Sequence, residues 1–314
     1  MRGSRPLAVY TGAMAALAVV CLVGLVLDPR LLGGQPIWAK PLKFSISFVL
    51  YGATLIWMIS LLSAPAARTW ATRLGTVVAV AGAIEMVAIV GQVVRGRASH
   101  FDVATPLDTA VWATMGVTIV VLWVATAGIA VLLLRERALP RATAWAVRLG
   151  LGVTLLGMAA AFLMTGPTGA QIAAASTTGM DTVGAHAVGV PDGGPGLPLV
   201  GWSTTGGDLR IGHFVGLHAL QALPLLALAL AVLARVPTLR PETTRARLVA
   251  VAGAAWAALT VGLVWQALRG QPLLAPDATT LFALAVGLVA TVAGVVLVLR
   301  SSTPAPFATP EPVR

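Results

Sequence analysis

The sequence predicts an all-α integral membrane protein with about eight transmembrane helices. Of its 314 residues, 58% are hydrophobic and only 10% are charged, and the mean hydropathy is +0.90. Soluble domains carry about 25% charged residues, so this chain lacks the residues needed to cover a water-facing surface. Its apolar residues come in blocks of about 20, which is the length that crosses a bilayer as a helix with every backbone group hydrogen-bonded internally.

Eight apolar blocks give the predicted spans. In chain order they cover residues 7–27, 44–64, 74–94, 110–134, 146–166, 211–234, 248–268 and 278–299. Glycines and prolines exclude a spanning helix from the connection 167–209, and its apolar residues favour a folded lid on the outer membrane surface. The spans form one membrane domain, residues 1–300, and the proline-rich segment 301–314 is predicted to be a disordered cytoplasmic tail.

Basic residues predict the orientation. Fourteen lysines and arginines flank the spans on the side of the termini, against seven on the other side. The positive-inside rule therefore places both termini in the cytoplasm. Nineteen of the 21 basic residues are arginine, and alanine, valine and glycine are abundant, which is typical of a GC-rich bacterial genome. We therefore expect a multi-pass protein of the bacterial plasma (inner) membrane.

The composition excludes nucleic-acid binding and cysteine-based cross-links or metal sites. The net charge of +10 is spread in ones and twos between apolar blocks, without the basic stripe or arm that nucleic-acid binding needs. The single cysteine, Cys21, lies within the first span, so the chain has neither an internal disulfide nor a cysteine metal site. The lipid bilayer is the partner that the sequence predicts, and the oligomeric state stays open.

A short internal repeat suggests a four-plus-four duplication. Residues 91–97 (GQVVRGR) end the third span and residues 265–271 (WQALRGQ) end the seventh, and both contain Gln-x-x-Arg-Gly. Four intervening spans would leave both motifs on the same side, as a parallel duplication requires. Helices often end in Arg-Gly, however, because glycine caps the C-terminus and arginine compensates the dipole. Simple capping is the favoured interpretation, and a second similarity, residues 34–41 with 270–277, fits no common register.

Polar residues concentrate at the outer ends of the spans. Each can be explained alone as an interfacial anchor or a helix cap, as Asp208 and Arg210 illustrate. Six cations at one membrane boundary, however, are what a site for a phosphate, a carboxylate or an anionic headgroup needs. The candidate ligand-binding residues are Lys40, Lys43, Gln92, Arg95, Arg97, His100, Asp208, Arg210, His213, His218, Gln221 and Arg269.

Glu85 is the most unusual single residue. It lies near the middle of the third span, about 16 Å from one end and about 14 Å from the other. Gln92 follows two helical turns later and Arg95 continues the same polar stripe outward. A carboxyl group at this depth is expensive, so it should face the bundle interior. It is either a neutral acid hydrogen-bonded between helices or a proton site.

The sixth span supplies the predicted partner surface. His213 and His218 are five residues apart, about 140° around a helix, so the two cannot bind one metal ion together. Gly212 and Gly216 allow another helix to approach closely, and Pro224 is expected to kink the helix below Gln221. We predict that the third and sixth spans turn their polar sides toward each other. They would enclose an outward-opening pocket between Glu85 and His218.

These patterns leave several functional classes open. The favoured one is a proton-coupled transporter or binder of a small anionic or lipid-derived ligand, with Glu85 and His218 as candidate proton sites. The alternative is a membrane-embedded metal- or haem-dependent enzyme, with His100, His213 and His218 as metal ligands. A sensory or assembly role is third. The chain contains no P-loop, HExxH, CxxC, nucleophile-elbow or dinucleotide motif, so no enzyme class and no cofactor is predicted.

A resemblance runs along most of the chain. Residues 185–226 (AHAVGVPDGGPGLPLVGWSTTGGDLRIGHFVGLHALQALPLL), with IWAKPLKFSISF and RGRASHFD, resemble a family of uncharacterised multi-span membrane proteins of high-GC bacteria. The resemblance implies a polytopic fold and no particular activity, so it transfers no catalytic residue. Haem A synthases also have eight spans, but they place paired histidines in both halves. The second, fourth, fifth, seventh and eighth spans here contain none, so that assignment is not adopted.

Overall fold

The computed structural model describes residues 4–177 and 179–302, and it confirms the all-α class. Eight helices in this part of the chain are long and apolar enough to cross a membrane. They are α1 (Arg5–Leu27), α2 (Ala39–Ser60), α3 (Pro65–Arg95), α4 (Pro106–Leu134), α5 (Arg141–Ala160), α7 (Leu209–Val232), α8 (Glu242–Leu268) and α9 (Ala278–Arg300). The described chain also contains a short helix, α6 (Gly169–Ala175), three short 3₁₀ helices (Ala161–Met164, Leu233–Arg235 and Pro237–Leu239) and four two-residue strands: β1 (Leu31–Leu32), β2 (Gln35–Pro36), β3 (Ala187–Val188) and β4 (Gly207–Asp208).

Seven of the eight spanning helices begin earlier than their apolar blocks, including α2 and α3. Helix α3 begins at Pro65 rather than at residue 74, because proline is well suited to a first helical turn and arginines are tolerated at the membrane surface. Helix α2 begins at Ala39 rather than at residue 44. Lys40 and Lys43 therefore belong to the first turns of the helix instead of preceding it.

The spanning helices form two groups with the same pattern of neighbours. In the first group, α1 packs on α2 and α3, α2 packs on α3, and α3 packs on α4. In the second, α5 packs on α7 and α8, α7 packs on α8, and α8 packs on α9. Contacts of α4 with α5 and of α2 with α7 join the groups. This arrangement is what two equivalent four-helix units would produce.

Small residues bring α5 and α7 together, as the sequence predicts for Gly212 and Gly216. A Cβ atom added to Gly157 would lie 2.7 Å from the Cα atom of Gly216, so the two backbones touch. The hydroxyl group of Thr154 uses this proximity to donate a hydrogen bond to the Leu217 carbonyl oxygen, at 3.1 Å. A Cβ atom at Gly212 would meet Val264 of α8.

We call the end of the bundle with the connection between α5 and α7 the loop face. The described residues of this connection contain short elements of regular structure. The short helix α6 starts with a capping box formed by Thr168 and Gln171, and the Gln171 amide also bonds both backbone groups of Gly184. Strands β3 and β4 pair antiparallel directly before α7. Of the predicted tail 301–314, all but Ser301 and Ser302 lie outside the described residues.

Candidate functional site

Aspartates neutralise most of the cations at the loop face. Every arginine of the predicted anion site forms an ion pair with a nearby aspartate, and Arg30 does the same with Asp28. The pairs are Arg95–Asp108 (2.7 Å), Arg97–Asp108 (2.8 Å), Arg97–Asp102 (3.2 Å), Arg210–Asp208 (2.6 Å) and Arg269–Asp277 (2.5 Å). These arginines therefore tie loops to helix ends, and they do not form a ring of free cations for one ligand.

Asp108 shows how the polar stripe of α3 is used. Its side chain is 1% exposed and accepts hydrogen bonds from both Arg95 and Arg97. The amide of Gln92 donates to the same carboxylate at 3.0 Å and to the Ala98 carbonyl oxygen at 3.1 Å. The stripe from Gln92 to Arg97 thus fastens the end of α3 to the start of α4.

The end of α8 repeats this arrangement. Gln266 donates to the carbonyl oxygen of Pro272, six residues further on, just as Gln92 does to Ala98. Gly270 adopts φ 73°, close to the 69° of Gly96. Arg269 then pairs with the aspartate that caps α9, as Arg95 pairs with one in the first turn of α4. A glycine cap accounts for the backbone bonds around Gly96 and Gly270 but not for the bond that the glutamine side chain donates, so the similarity extends beyond capping, as a duplication requires.

Lys40 and Lys43 differ from the arginines because neither forms an ion pair among the described residues. The ammonium group of Lys43 donates to the Val200 carbonyl oxygen at 3.1 Å. Lys40 makes no hydrogen bond within the described chain, and it interacts electrostatically with Lys43 and Arg210. The nearby Asp208 is already paired with Arg210. The two lysines therefore leave an excess of positive charge at the start of α2.

An aromatic cage surrounds His100. Its ring lies 5.8 Å from the ring of Phe44, 6.1 Å from that of Phe101 and 5.5 Å from that of Trp112. The hydroxyl group of Ser99 lies 3.2 Å from Nδ1. Burial in this cage, reinforced by the charge of Lys40, holds the pKa of His100 well below its usual range. The imidazole is therefore neutral at physiological pH.

A second imidazole, His186, also packs against Phe101, with 4.7 Å between the ring centroids. Its Nδ1 atom is 2.8 Å from a carboxylate oxygen of Asp192. Burial lowers the pKa of His186 although Asp192 opposes this. Burial would raise the pKa of Asp192, but hydrogen bonds from His186 and two backbone amides outweigh it and bring the pKa to about 2. Asp192 was missed because Asp-Gly-Gly is typical of an ordinary turn.

Lys40 brings these residues into one cluster. It interacts electrostatically with His100, His186 and Asp192, and His100 interacts with His213. Lys40 and these three imidazoles are each half-buried. The residues of this cluster belong to α2, to α7, to the connection between α3 and α4 and to the connection between α5 and α7.

The predicted pocket between Glu85 and His218 is wrong. Glu85 is 3% exposed and accepts a hydrogen bond from Thr118 of α4 at 2.5 Å. His218 is exposed on the side of α7, and α3 has no extensive contact with α7 in the described structure. His213 faces the interior, where its ring forms a hydrogen bond with the Gly157 carbonyl oxygen. Because His218 lies about 140° further around the helix, it points away from the interior.

Gln221 lies where the sequence predicts, whereas the three histidines considered as metal ligands do not come together. Gln221 does face the interior, where its amide donates to the hydroxyl group of Thr54 on α2, at 3.3 Å. Within residues 4–177 and 179–302, no group of three His, Cys, Asp or Glu side chains is arranged to hold a metal ion. His100, His213 and His218 are thus not brought together as metal ligands.

Comparisons of the chain with protein-family models, curated proteins and solved structures give no match.

Proposed function

We propose that this polytopic protein binds a small anionic or lipid-derived ligand at Lys40, Lys43 and Arg210, below the connection between α5 and α7. The proposal depends on one observation. Lys40 lies in the first turn of a membrane-spanning helix without a hydrogen bond or ion pair from the described residues, whereas the arginines around it are paired. A cation near the membrane whose ammonium group is not bound directly to a carboxylate attracts an anion strongly, because the surrounding dielectric constant is low.

Phosphate and carboxylate groups are the chemistry that this cluster would recognise. Lysine binds phosphate as a point charge with three donors, and the guanidinium of Arg210 adds a planar donor set. The anion could be free in solution or be carried by a lipid headgroup. His100 and His186 would be neutral neighbours that offer hydrogen bonds without adding charge.

Substitution of Lys40 tests the binding site. We expect K40A to weaken binding of inorganic phosphate, measured by calorimetry in nanodiscs of zwitterionic lipid, by roughly 10- to 100-fold, because one charge-assisted hydrogen bond is lost. Native mass spectrometry with phosphatidylglycerol tests the lipid source. R30A is the matched control, because this cation of the same face is paired with Asp28. Wild-type affinity in K40A, or no binding of either anion to the wild type, would contradict the proposal.

Transport coupled to protons is the finer proposal, with Glu85 as the proton site. We assign Lys40, instead of His218, as the partner of Glu85, because Lys40 and Glu85 interact electrostatically across the interior of the first helix group. The hydroxyl group of Tyr10, which also interacts with Glu85, is buried without a hydrogen-bond partner in the described structure. A polar route from Lys40 to mid-membrane is what proton coupling would need.

Glu85→Gln separates binding from coupling. In proteoliposomes containing a pH-sensitive dye, we expect phosphate binding to persist while phosphate-dependent proton movement disappears. Glutamine keeps the acceptor for Thr118 but cannot release a proton, so the fold is maintained. Proton movement that continues in E85Q would reject Glu85 as the coupling residue.

A further inference from the structure

A small hairpin covers the proposed ligand site. The Leu197 amide donates to the Trp202 carbonyl oxygen, and the Gly201 amide donates to the Leu197 carbonyl oxygen, each at 2.8 Å. Gly196 and Ser203 form an antiparallel bridge at the base. Leu199, at the tip, is 89% exposed and has φ 66°. We call residues 196–203 the cover hairpin.

Two adjacent carbonyl groups of the cover hairpin hold two cations of the site. Lys43 of α2 donates to the Val200 oxygen at 3.1 Å, and Arg210 of α7 donates to the Gly201 oxygen at 2.7 Å. Within the described structure, the base of the hairpin is also joined to the start of α7, because the Ser203 amide donates to the Asp208 carboxylate at 2.8 Å. The hairpin is thus fastened to both helix groups through the cations that a ligand would also use.

From this geometry we propose that the cover hairpin is a lid that competes with the ligand for Lys43 and Arg210. The inference depends on the proposed anion site. A carbonyl oxygen is a neutral acceptor, whereas an oxygen of a phosphate or carboxylate carries a negative charge that adds Coulomb attraction to the ammonium and guanidinium groups. A phosphate or carboxylate therefore displaces Val200 and Gly201, and the freed hairpin opens outward. In the absence of ligand, the lid screens the cations.

Destabilising the closed lid should therefore tighten binding. Gly201 has φ 67°, and an added Cβ would lie 3.3 Å from the side chain of Gln35, so Gly201→Val strains the closed form. We expect G201V to bind inorganic phosphate roughly tenfold more tightly, because binding no longer has to open the lid. Gly179→Val is the matched control. Gly179 has φ 80° in the same connection and nothing near its Cβ position, and its affinity should stay unchanged.

Hydrogen exchange of the wild-type protein tests the lid independently of any variant. Phosphate should accelerate exchange of the Leu197 and Gly201 amides, and nanodiscs with phosphatidylglycerol provide the same test for a lipid headgroup. If neither anion binds, the proposed function fails. If an anion binds while exchange in residues 196–203 stays constant, or G201V binds no more tightly than the wild type, the lid is rejected and the site remains.

Discussion

Single carboxylates organise both ends of the bundle. At the loop face, Asp108 gathers three side chains from the end of α3. At the opposite end, Glu136 joins the loop after α2 to the loop after α4, accepting from the amide and the hydroxyl group of Ser63 at 2.7 and 2.8 Å. The sequence identifies such residues as polar groups near membrane boundaries. It cannot say that they bind one another, because the pairing depends on which helices are neighbours.

Glu136→Gln should destabilise the protein at neutral pH. Hydrogen bonds from the backbone amides of Ser63 and Ala138 lower the pKa of Glu136 to about 2, so its ionised form is stabilised by folding. This contribution is present above the unfolded pKa, about 4.3, and disappears as the pH falls through about 2. We expect the Tm of E136Q to be lower by roughly 5 °C at pH 7, measured by circular dichroism in detergent.

The pH dependence distinguishes this explanation from a general packing defect. The difference between E136Q and the wild type should shrink as the pH is lowered from 5 toward 2, because the wild-type carboxylate then becomes protonated. Glu242→Gln is the control, since Oε1 of that carboxylate has no hydrogen-bond partner in the described structure. A difference in Tm that is the same at pH 3 and pH 7 would be inconsistent with the role given to Glu136.

The positions of the spanning helices could be predicted from the sequence more reliably than the neighbours against which each helix packs. Runs of about 20 apolar residues identify the spanning helices, because the bilayer imposes that length whatever the neighbours are. The face that a helix turns inward is harder to predict, since lipid-facing and buried positions are both apolar. The hydrophilic stripe of α3 was correctly placed in the interior, but it faces α4 rather than α7. His218 was assigned to the interior and is exposed.

The close packing of α5 on α7 can be tested by replacing a glycine at the contact with a larger residue. Gly216→Leu would push a side chain into the Gly157 backbone, where an added Cβ already lies 2.5 Å from the Gly157 Cα atom. Overpacking of this kind costs about 1–3 kcal/mol or more, so we expect a clear loss of Tm and of monodispersity in detergent. Gly152→Leu on α5 is the control, because nothing lies near its Cβ position. Equal stability of the two variants would show that the contact is not tight.

The whole molecule has the organisation expected of a duplicated four-helix unit. The two helix groups share their pattern of packing, and their third helices end in the same hydrogen-bonded arrangement. The sequence retains only three identical residues of that similarity, the glutamine, arginine and glycine of Gln-x-x-Arg-Gly, and these are too few to outweigh ordinary helix capping. Three-dimensional contacts preserve the relationship because packing tolerates many apolar substitutions while a buried glutamine must keep its acceptor.

Equivalent substitutions should then have equivalent effects. Gln92→Leu and Gln266→Leu each remove a buried donor from a carbonyl oxygen six residues further on. We expect both to lower the stability measured by denaturant titration, by about 1–3 kcal/mol each. The effect at Gln92 should be the larger, because that amide also bonds Asp108. Tolerance of one substitution and not of the other would argue against equivalent halves.

The orientation of the whole molecule is the last prediction. We propose that the loop face points out of the bacterial cytoplasm, because the opposite face has twice as many basic residues beside the spans. The natural Cys21 is buried, so introduced cysteines report alone. In intact cells, a membrane-impermeant maleimide should label Leu199→Cys at the tip of the cover hairpin. Arg240→Cys, exposed at the opposite end, should react only after the cells are permeabilised. The reverse labelling pattern would place the lysines and the cover hairpin in the cytoplasm. The proposed ligand would then have to approach from inside.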